Sequence, residues 1–343
     1  MRRSPTILDV ADRAGVSKST VSNVIRGVVG VSDETRRKVD SAIKQLGYRP
    51  NILARQLVQQ RTNILGVVVG DLANPFYAEM AKSVERQASA RGYTAMFCNT
   101  EGDSESEFAG IEMLLAQRVA GIVFLAFSGD SRTMRETHQH DVPAVFLSCH
   151  ERWGDVVAVD DELGGRLATR HLLECGHRRL AFLSIPELAD SSDQARFEGC
   201  LKEAGAVSVK RISWSPEADR TEIDGVESKL RGAFTGPERI TGVFASNDLA
   251  AIDLMDFADS AGLRVPDDLS IVGFDDVPMA ALARIGLTTV AQPRDELARR
   301  GIDTMIGRIE GSVKGKPTTT FVPVKLVQRR STAAPVAAAG LRS

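Results

Sequence analysis

Long apolar runs are missing from this sequence: none of its 343 residues falls in a stretch of 18 or more apolar positions, so no membrane-spanning helix is expected. The start, Met1-Arg2-Arg3-Ser4-Pro5, leads into a polar pattern where an export signal needs an apolar one, and a cytoplasmic protein is expected. Cysteine is scarce. The four, Cys98, Cys149, Cys175 and Cys200, lie far apart with no Cys-x-x-Cys or Cys/His pairing, which gives no support to disulfides, zinc or thiol catalysis. Only five histidines occur, and there is no Gly-rich phosphate loop, Ser/His/Asp arrangement or metal-spaced cluster, so neither an enzyme nor a bound cofactor is expected. At 43% apolar and 26% charged residues the chain is long enough for two or three domains with real cores.

Charge is unevenly spread. Residues 1–61 hold twelve Lys or Arg and five Asp or Glu, about +7, although the whole chain carries −2. A basic head thus precedes an acidic body. The head is either a solvated arm or a surface attracted to a polyanion.

Its residues favour the second reading. Thr6 caps a first helix with Asp9 three residues on, Ile7, Val10, Ala11 and Ala14 recur at helical spacing, and Gly15 stops it. Ser17 caps a second helix from Lys18 to about Ile25, so two short helices meet at a glycine-containing turn, the signature of a helix-turn-helix. In that second helix Val21, Val24 and Ile25 form an apolar stripe, Ser19, Ser22, Asn23 and Arg26 take the opposite side, and Lys18 flanks them. Ser and Thr can bond phosphates or base edges, Asn pairs bidentately with adenine, and Lys reaches guanine or phosphate, so this face suits a major groove. Ser32 caps a third helix with Val39, Ala42, Ile43 and Leu46 on one side before Gly47. A short helix follows from Pro50, with Leu53 and Leu57 one turn apart; it needs a partner to persist.

These residues resemble the lactose and galactose repressor family through Asp9-Val10-Ala11, Ala14-Gly15-Val16-Ser17, Ser19-Thr20-Val21-Ser22, Glu34-Thr35-Arg36, Leu46-Gly47-Tyr48-Arg49-Pro50-Asn51, Ala54-Arg55 and Leu57. The resemblance implies that Lys18, Ser19 and Asn23 face bases and that Ser17, Thr20 and Ser22 contact phosphates. It also implies a hinge helix over residues 50–58 with Asn51, Ala54 and Leu57 among its DNA contacts, Leu57 wedging into the minor groove. Val58 stands where many relatives carry a basic residue, which removes one groove contact.

The division expected is a helix-turn-helix domain over 1–49, a hinge over 50–61, an effector-binding and dimerisation body over 62–330 and a disordered tail over 331–343. The body reads as two doubly wound α/β lobes like those of periplasmic binding proteins: an N-lobe over about 62–160 plus 293–318 and a C-lobe over about 161–291 plus 321–330. Strands are expected at Ile64 to Val69, Thr94 to Cys98, Gly121 to Phe127 and Ala144 to Leu147 in a first sheet. Val156 to Val159, Leu180 to Leu183, Gly242 to Ala245 and Ser270 to Phe274 are assigned to a second. Helices fill 75–91, 105–118, 161–174, 193–204, 219–233, 248–261 and 294–310. In such sheets ligands bind beyond the carboxyl ends of the strands.

The family resemblance continues through Asn74-Pro75-Phe76, Gly165, Gly176-His177, Arg196, Asn247-Asp248, Gly273-Phe274-Asp275-Asp276 and Leu287-Thr288-Thr289-Val290, to about residue 330. It implies that Phe76, Ser148, Arg196, Trp214, Asn247 and Asp275 line an effector cleft, a set suited to a sugar-like polyol. Structural roles are the alternatives: Asp275 as a turn cap, Arg196 as an ion-pair partner, Phe76 as core. Ser148 replaces an acidic residue of several sugar-responsive relatives, which leaves the identity of the sugar open. Asp190 to Asp193, just before Arg196, read as a cleft loop, and His177 as part of a helix-to-strand turn.

The reading is therefore a DNA-binding transcription regulator, a repressor by preference, acting as a homodimer on palindromic double-stranded operator DNA and switched by a small effector. A sugar-transport receptor is the rival that the basic head argues against. Ser331 to Ser343 lacks leucine heptads, so no coiled-coil tetramer is expected. Leu57→Ala is expected to weaken operator affinity by about 1 to 3 kcal/mol while leaving effector binding intact; operator titration of the two proteins checks this, and equal affinities would remove Leu57 from the mechanism.

Overall fold

Local hydrogen bonding sets the first three helices of the computed structural model, which describes residues 5–25, 30–48, 62–149, 151, 153–185, 191–214, 231–236 and 238–336. Helix α1 (Ile7–Ala14) opens on a reciprocal capping box, in which the Thr6 N–H donates to Asp9 at 2.6 Å and the Asp9 N–H to Thr6 Oγ1 at 3.4 Å. It closes on Gly15 at φ 66°, a left-handed conformation that glycine adopts without strain. Helix α2 (Lys18–Ile25) starts where Ser17 Oγ accepts the Thr20 N–H at 3.1 Å. Helix α3 (Asp33–Leu46) is capped by Ser32 and ended by Gly47. Val10, Ala11, Val21, Val24, Val39 and Ala42 are buried together, so each helix contributes two apolar residues to one small core. Residues 1–62 form this unit, and residues 63–343 form a second.

The second unit holds two six-stranded sheets. The first has the order β11-β5-β4-β3-β1-β2, built from β1 (Ile64–Val69), β2 (Thr94–Asn99), β3 (Gly121–Phe124), β4 (Ala144–Leu147), β5 (Asp155–Val159) and β11 (Thr319–Val322), all parallel. The second has the order β12-β10-β9-β8-β6-β7, built from β6 (Arg179–Ser184), β7 (Ser208–Ser213), β8 (Gly242–Ala245), β9 (Ser270–Asp275), β10 (Thr288–Ala291) and β12 (Lys325–Val327), with only β12 antiparallel. Helices α4 (Pro75–Ser89), α5 (Ser104–Ala116), α6 (Ser131–Gln139) and α10 (Arg294–Glu310) serve the first sheet; α7 (Asp161–Glu174), α8 (Ser191–Ala204) and α9 (Asp248–Ser260) serve the second. The central strands β3, β4, β5, β8 and β9 are buried throughout, as parallel strands covered on both faces must be. The chain passes between lobes three times, after β5, after β10 and after β11.

Four expectations need correction. Val156 to Val159 belongs to the first sheet, because β5 pairs with β4 across Val145 and Asp155. Residues 319–322 also belong to the first sheet, pairing with β5, so the last crossing comes after Val322. Helix α6 and strands β7, β10, β11 and β12 add to the expected elements. The tail is not disordered from Ser331: that side chain is buried, donating to the Ile271 carbonyl at 2.6 Å, and Ala333 is held by Ser270 and by His177 Nε2 at 3.0 Å. The helix expected over 219–233 lies mostly outside the described residues.

Glycines let α7 and α8 touch. A Cβ on Gly165 would stand 2.0 Å from the Arg196 carbonyl oxygen, and one on Gly199 would stand 2.0 Å from that of Glu162. The blocking atoms are backbone and cannot swing aside, so the contact fixes where α8 presents Arg196. Gly165→Ala should therefore destabilise the unit by about 1 to 3 kcal/mol, although alanine is the better helix former by about 0.5–1 kcal/mol. Urea unfolding is the measurement, and a stabilised variant would mean the helices part freely.

Candidate functional site: the α2 face and the interlobe cleft

On α2, burial follows the spacing in part: Ile25 of the expected apolar stripe is half-buried, as are Ser22 and Asn23 of the expected polar side. Val21 and Val24 are buried, Ser17, Lys18 and Ser19 are exposed, and Thr20 is half-buried. Ser17 Oγ lies 2.7 Å from Ser19 Oγ and 2.8 Å from Thr20 Oγ1, so three hydroxyls cluster at the helix start. There the unsatisfied N–H groups and the dipole of a helix N-terminus favour a phosphate. Arg26, Asn51, Ala54 and Leu57 lie outside the described residues.

In the second unit, residues from both lobes converge on one cavity of about 40 Å³. Asn74, Phe76, Tyr77 and Ser148 come from the first lobe; Ser192, Asp193, Arg196, Ser246, Asn247 and Asp275 come from the second; Gln292 sits on the crossing between β10 and α10. Asn74 caps α4 by accepting the Phe76 N–H at 3.0 Å, which places Phe76 in the wall while most of its ring is buried. Asn247 caps α9 by accepting the Ala250 N–H at 2.8 Å, so its amide nitrogen is the group it can offer a ligand. Ser148 Oγ donates to Gln292 Oε1 at 3.3 Å and Gln292 Nε2 donates to Asp275 at 2.8 Å, a polar chain from one lobe to the other. Trp214 is not among the described residues lining the cavity. It follows β7, is buried, and turns its ring edgewise against Phe257 on α9, with centroids 6.2 Å apart.

Arg196 is both an ion-pair partner and a wall of the cavity. Its Nε donates to Asp161 at 2.7 Å, its Nη1 donates to the Ser246 carbonyl at 2.8 Å, and its guanidinium lies 3.8 Å from the centroid of Phe274. Asp275 is buried at the end of β9, and burial pushes its carboxyl up to about 6, against the lowering effect of Arg196, the Gln292 hydrogen bond and Arg294. Behind it Asp248 is fully buried, accepting from Thr289 and, at 2.8 Å, from the Val277 N–H. Its carboxyl is raised well above the ordinary range by burial and then by Asp275. Asp275 and Asp276 are consecutive non-glycine residues with φ of 122° and 57°, each costing about 1–3 kcal/mol that the surroundings must offset.

Comparison with known proteins identifies the family of the chain. The family model described as bacterial regulatory proteins, lacI family, matches residues 6–51, and one described as a periplasmic binding protein-like domain matches residues 169–332. The ribose operon repressor of Escherichia coli (strain K12) is 35% identical over 333 residues, 95% of this chain and 99% of that protein. The chain belongs to the LacI family of bacterial regulatory proteins. Among solved structures, the lac repressor dimer bound to operator and the anti-inducer ONPF has a TM-score of 0.81 at 27% identity, covering 97% of this chain and 100% of that one. A LacI family regulator from Enterococcus faecalis V583 with bound ribose has a TM-score of 0.69 at 28% identity, covering 79% and 99%.

In this LacI family chain, sequence reasoning passed over Tyr77, Ser246 and Gln292, which line the cavity, and Asp161 and Arg294, which hold its walls. Ser246 and Gln292 stand just past the ends of β8 and β10, so a search for polar residues beyond strand carboxyl ends would have found them. The raised Asp275 carboxyl has a sign. Its folded value of about 6 exceeds the ordinary carboxylate value, so its contribution to stability is full below pH ~4 and is lost as pH rises through about 6. His171 and His177, both lowered by burial, run the other way and lose stability as pH falls. The test is thus a difference: Asp275→Asn should gain stability relative to the wild type between pH 5 and 7 in urea unfolding, and a constant difference across that range would refute the assignment.

Proposed function

We propose that this protein is a transcription repressor that binds an inverted-repeat operator as a homodimer and whose operator affinity is set by a small, uncharged, sugar-like polyol held between the two lobes. The observation that carries this reading is the cavity itself, lined by hydrogen-bonding side chains from both lobes together with Phe76. A helix-turn-helix unit precedes it, with Lys18 and Ser19 of α2 exposed and Ser22 and Asn23 half-buried. Ribose operon repressors among the relatives and a ribose-bound neighbour make D-ribose the first compound to try.

The charges favour a neutral ligand. Arg196 is already matched by Asp161 and Asp193 by Arg211, while Asp275 also lines the cavity, so among the described lining residues a phosphate or carboxylate would meet acidic groups and no cation without a partner. A polyol instead donates hydroxyl hydrogens to Asp275 and accepts from Asn247 and Arg196. Ligand pockets for small molecules run to roughly 300–1,000 Å³, and the cavity here is about 40 Å³. This arrangement of the lobes leaves little room for a ligand, and a ligand shifts the equilibrium between lobe arrangements only through its differential affinity for them.

Two measurements test the reading. With ~6 to 10 phosphates neutralised per dimer, operator affinity should fall with salt at a log-log slope of roughly −5 to −9, and Asn23→Ala should cost about 1–3 kcal/mol on the preferred operator only. Thermal-shift screening against neutral sugars, sugar acids and phosphosugars should stabilise the protein with a neutral member. Asp275→Asn should weaken that binding by about tenfold or more. Equal affinity for scrambled DNA sinks the operator claim; a response only to anionic compounds sinks the polyol claim.

A further inference from the structure

The strained pair Asp275–Asp276 is held from the other lobe. Both backbone carbonyls accept from one guanidinium: Arg294 Nη1 donates to the Asp275 oxygen at 2.6 Å and Nη2 to the Asp276 oxygen at 2.9 Å. Arg294 is the first residue of α10, which packs on α4, β4 and β5 of the first lobe. Its neighbour Asp295 accepts from Ser83 Oγ at 2.7 Å and pairs with Arg86, both on α4, whose first turn carries Phe76 into the cavity. Two adjacent residues thus tie one cavity wall to the backbone that aims Asp275.

We infer that Arg294 is a positioning residue that couples the arrangement of the lobes to the orientation of Asp275. When the lobes part, the two carbonyl bonds stretch together, and the consecutive positive-φ residues lose the restraint that keeps the carboxyl turned into the cavity. A guanidinium is needed because its planar fork spans two carbonyls, whereas an ammonium is a point donor. Asp161, Asp248, Asp276, Arg196 and Arg329 also bear on this turn; none of them reaches it from the first lobe. The inference rests on the reading of the cavity as the effector site, but its test contains no ligand, so a failure of polyol binding leaves its outcome readable.

The test is amide hydrogen exchange on the full-length wild type, Arg294→Met and Arg294→Lys. A carboxyl titration by NMR accompanies it, on protein carrying carbon-13 aspartate with the Asp275 signal assigned from Asp275→Asn. In Arg294→Met the amides of Val277 and Gln292 should exchange about tenfold faster or more, with β1 and β8 unchanged and the Asp275 midpoint moved upward because a lowering cation is gone. Arg294→Lys should fall between, and it carries the test if the methionine variant does not fold. Unchanged exchange at both amides, an increase spread evenly over both lobes, or an unmoved midpoint would overturn the inference.

Discussion

In the wall of the cavity the guanidinium of Arg196 joins α8, which carries it, to α7 through Asp161, to the residue that follows β8 through the Ser246 carbonyl, and to β9 through the face of Phe274. The arrangement depends on space made elsewhere. Gly165 and Gly199 bring the helices into backbone contact, and a Cβ on Gly164 would come within 2.4 Å of the Phe274 ring. A nearly buried charge without its partner costs about 3–5 kcal/mol, so Asp161 and Arg196 stand or fall together. Because the guanidinium is held before any ligand arrives, a hydroxyl that meets it need not spend free energy ordering it.

The acidic side of the cleft follows from a second close approach. Gly273 leaves room for Asp248, whose carboxylate oxygen would lie 2.2 Å from a Cβ there. From that position Asp248 anchors Thr289 on β10 and the Val277 amide beyond the turn, fixing the segment in which Asp275 sits. Two carboxyls in a dry site oppose each other's ionisation, and both are raised. A polyol hydroxyl donating to Asp275, as proposed, would stabilise the ionised form and so link binding of a neutral ligand to release of a proton.

Much of this was legible in local pattern. The caps at Thr6, Ser17 and Ser32 and the stops at Gly15 and Gly47 act over three or four residues, and such signals survive without tertiary context. Pairing is different. The apolar run at 156–159 announces a buried strand but not which sheet receives it, since Asp155 meets Val145 only in the fold. Strand β7, at the edge of its sheet, sets two adjacent exposed basic residues, Lys210 and Arg211, between half-buried Val209 and Ile212, and so lacks the apolar run that marks its neighbours. The order of Ser331 to Ala333 rests on bonds to Ile271, Thr288 and Ser270, some 40 to 60 residues away. Of the cleft residues, Phe76, Ser148, Arg196, Asn247 and Asp275 meet at one cavity. Trp214 stands apart because Phe257, invisible in its local sequence, claims its ring.

Interlobe bonds decide how a ligand could act on this body. The chain Ser148–Gln292–Asp275 and the fork of Arg294 both span lobes, and both end on Asp275, one at its carboxylate and the other at its carbonyl. Gln292 donates to one oxygen of the Asp275 carboxylate, so a ligand hydroxyl at that oxygen would displace the Gln292 amide, whereas one at the other oxygen would leave it in place. Where Gln292 is displaced, the free energy available for switching would be the difference between what the ligand gains at Asp275 and what Gln292 loses. Couplings of this kind run to about 1–3 kcal/mol, the scale of one or two charge-assisted hydrogen bonds. Under the proposed reading, Gln292, set on the crossing itself, is the group whose exchange for a hydroxyl would convert occupancy of the cavity into a change at the joint between the lobes.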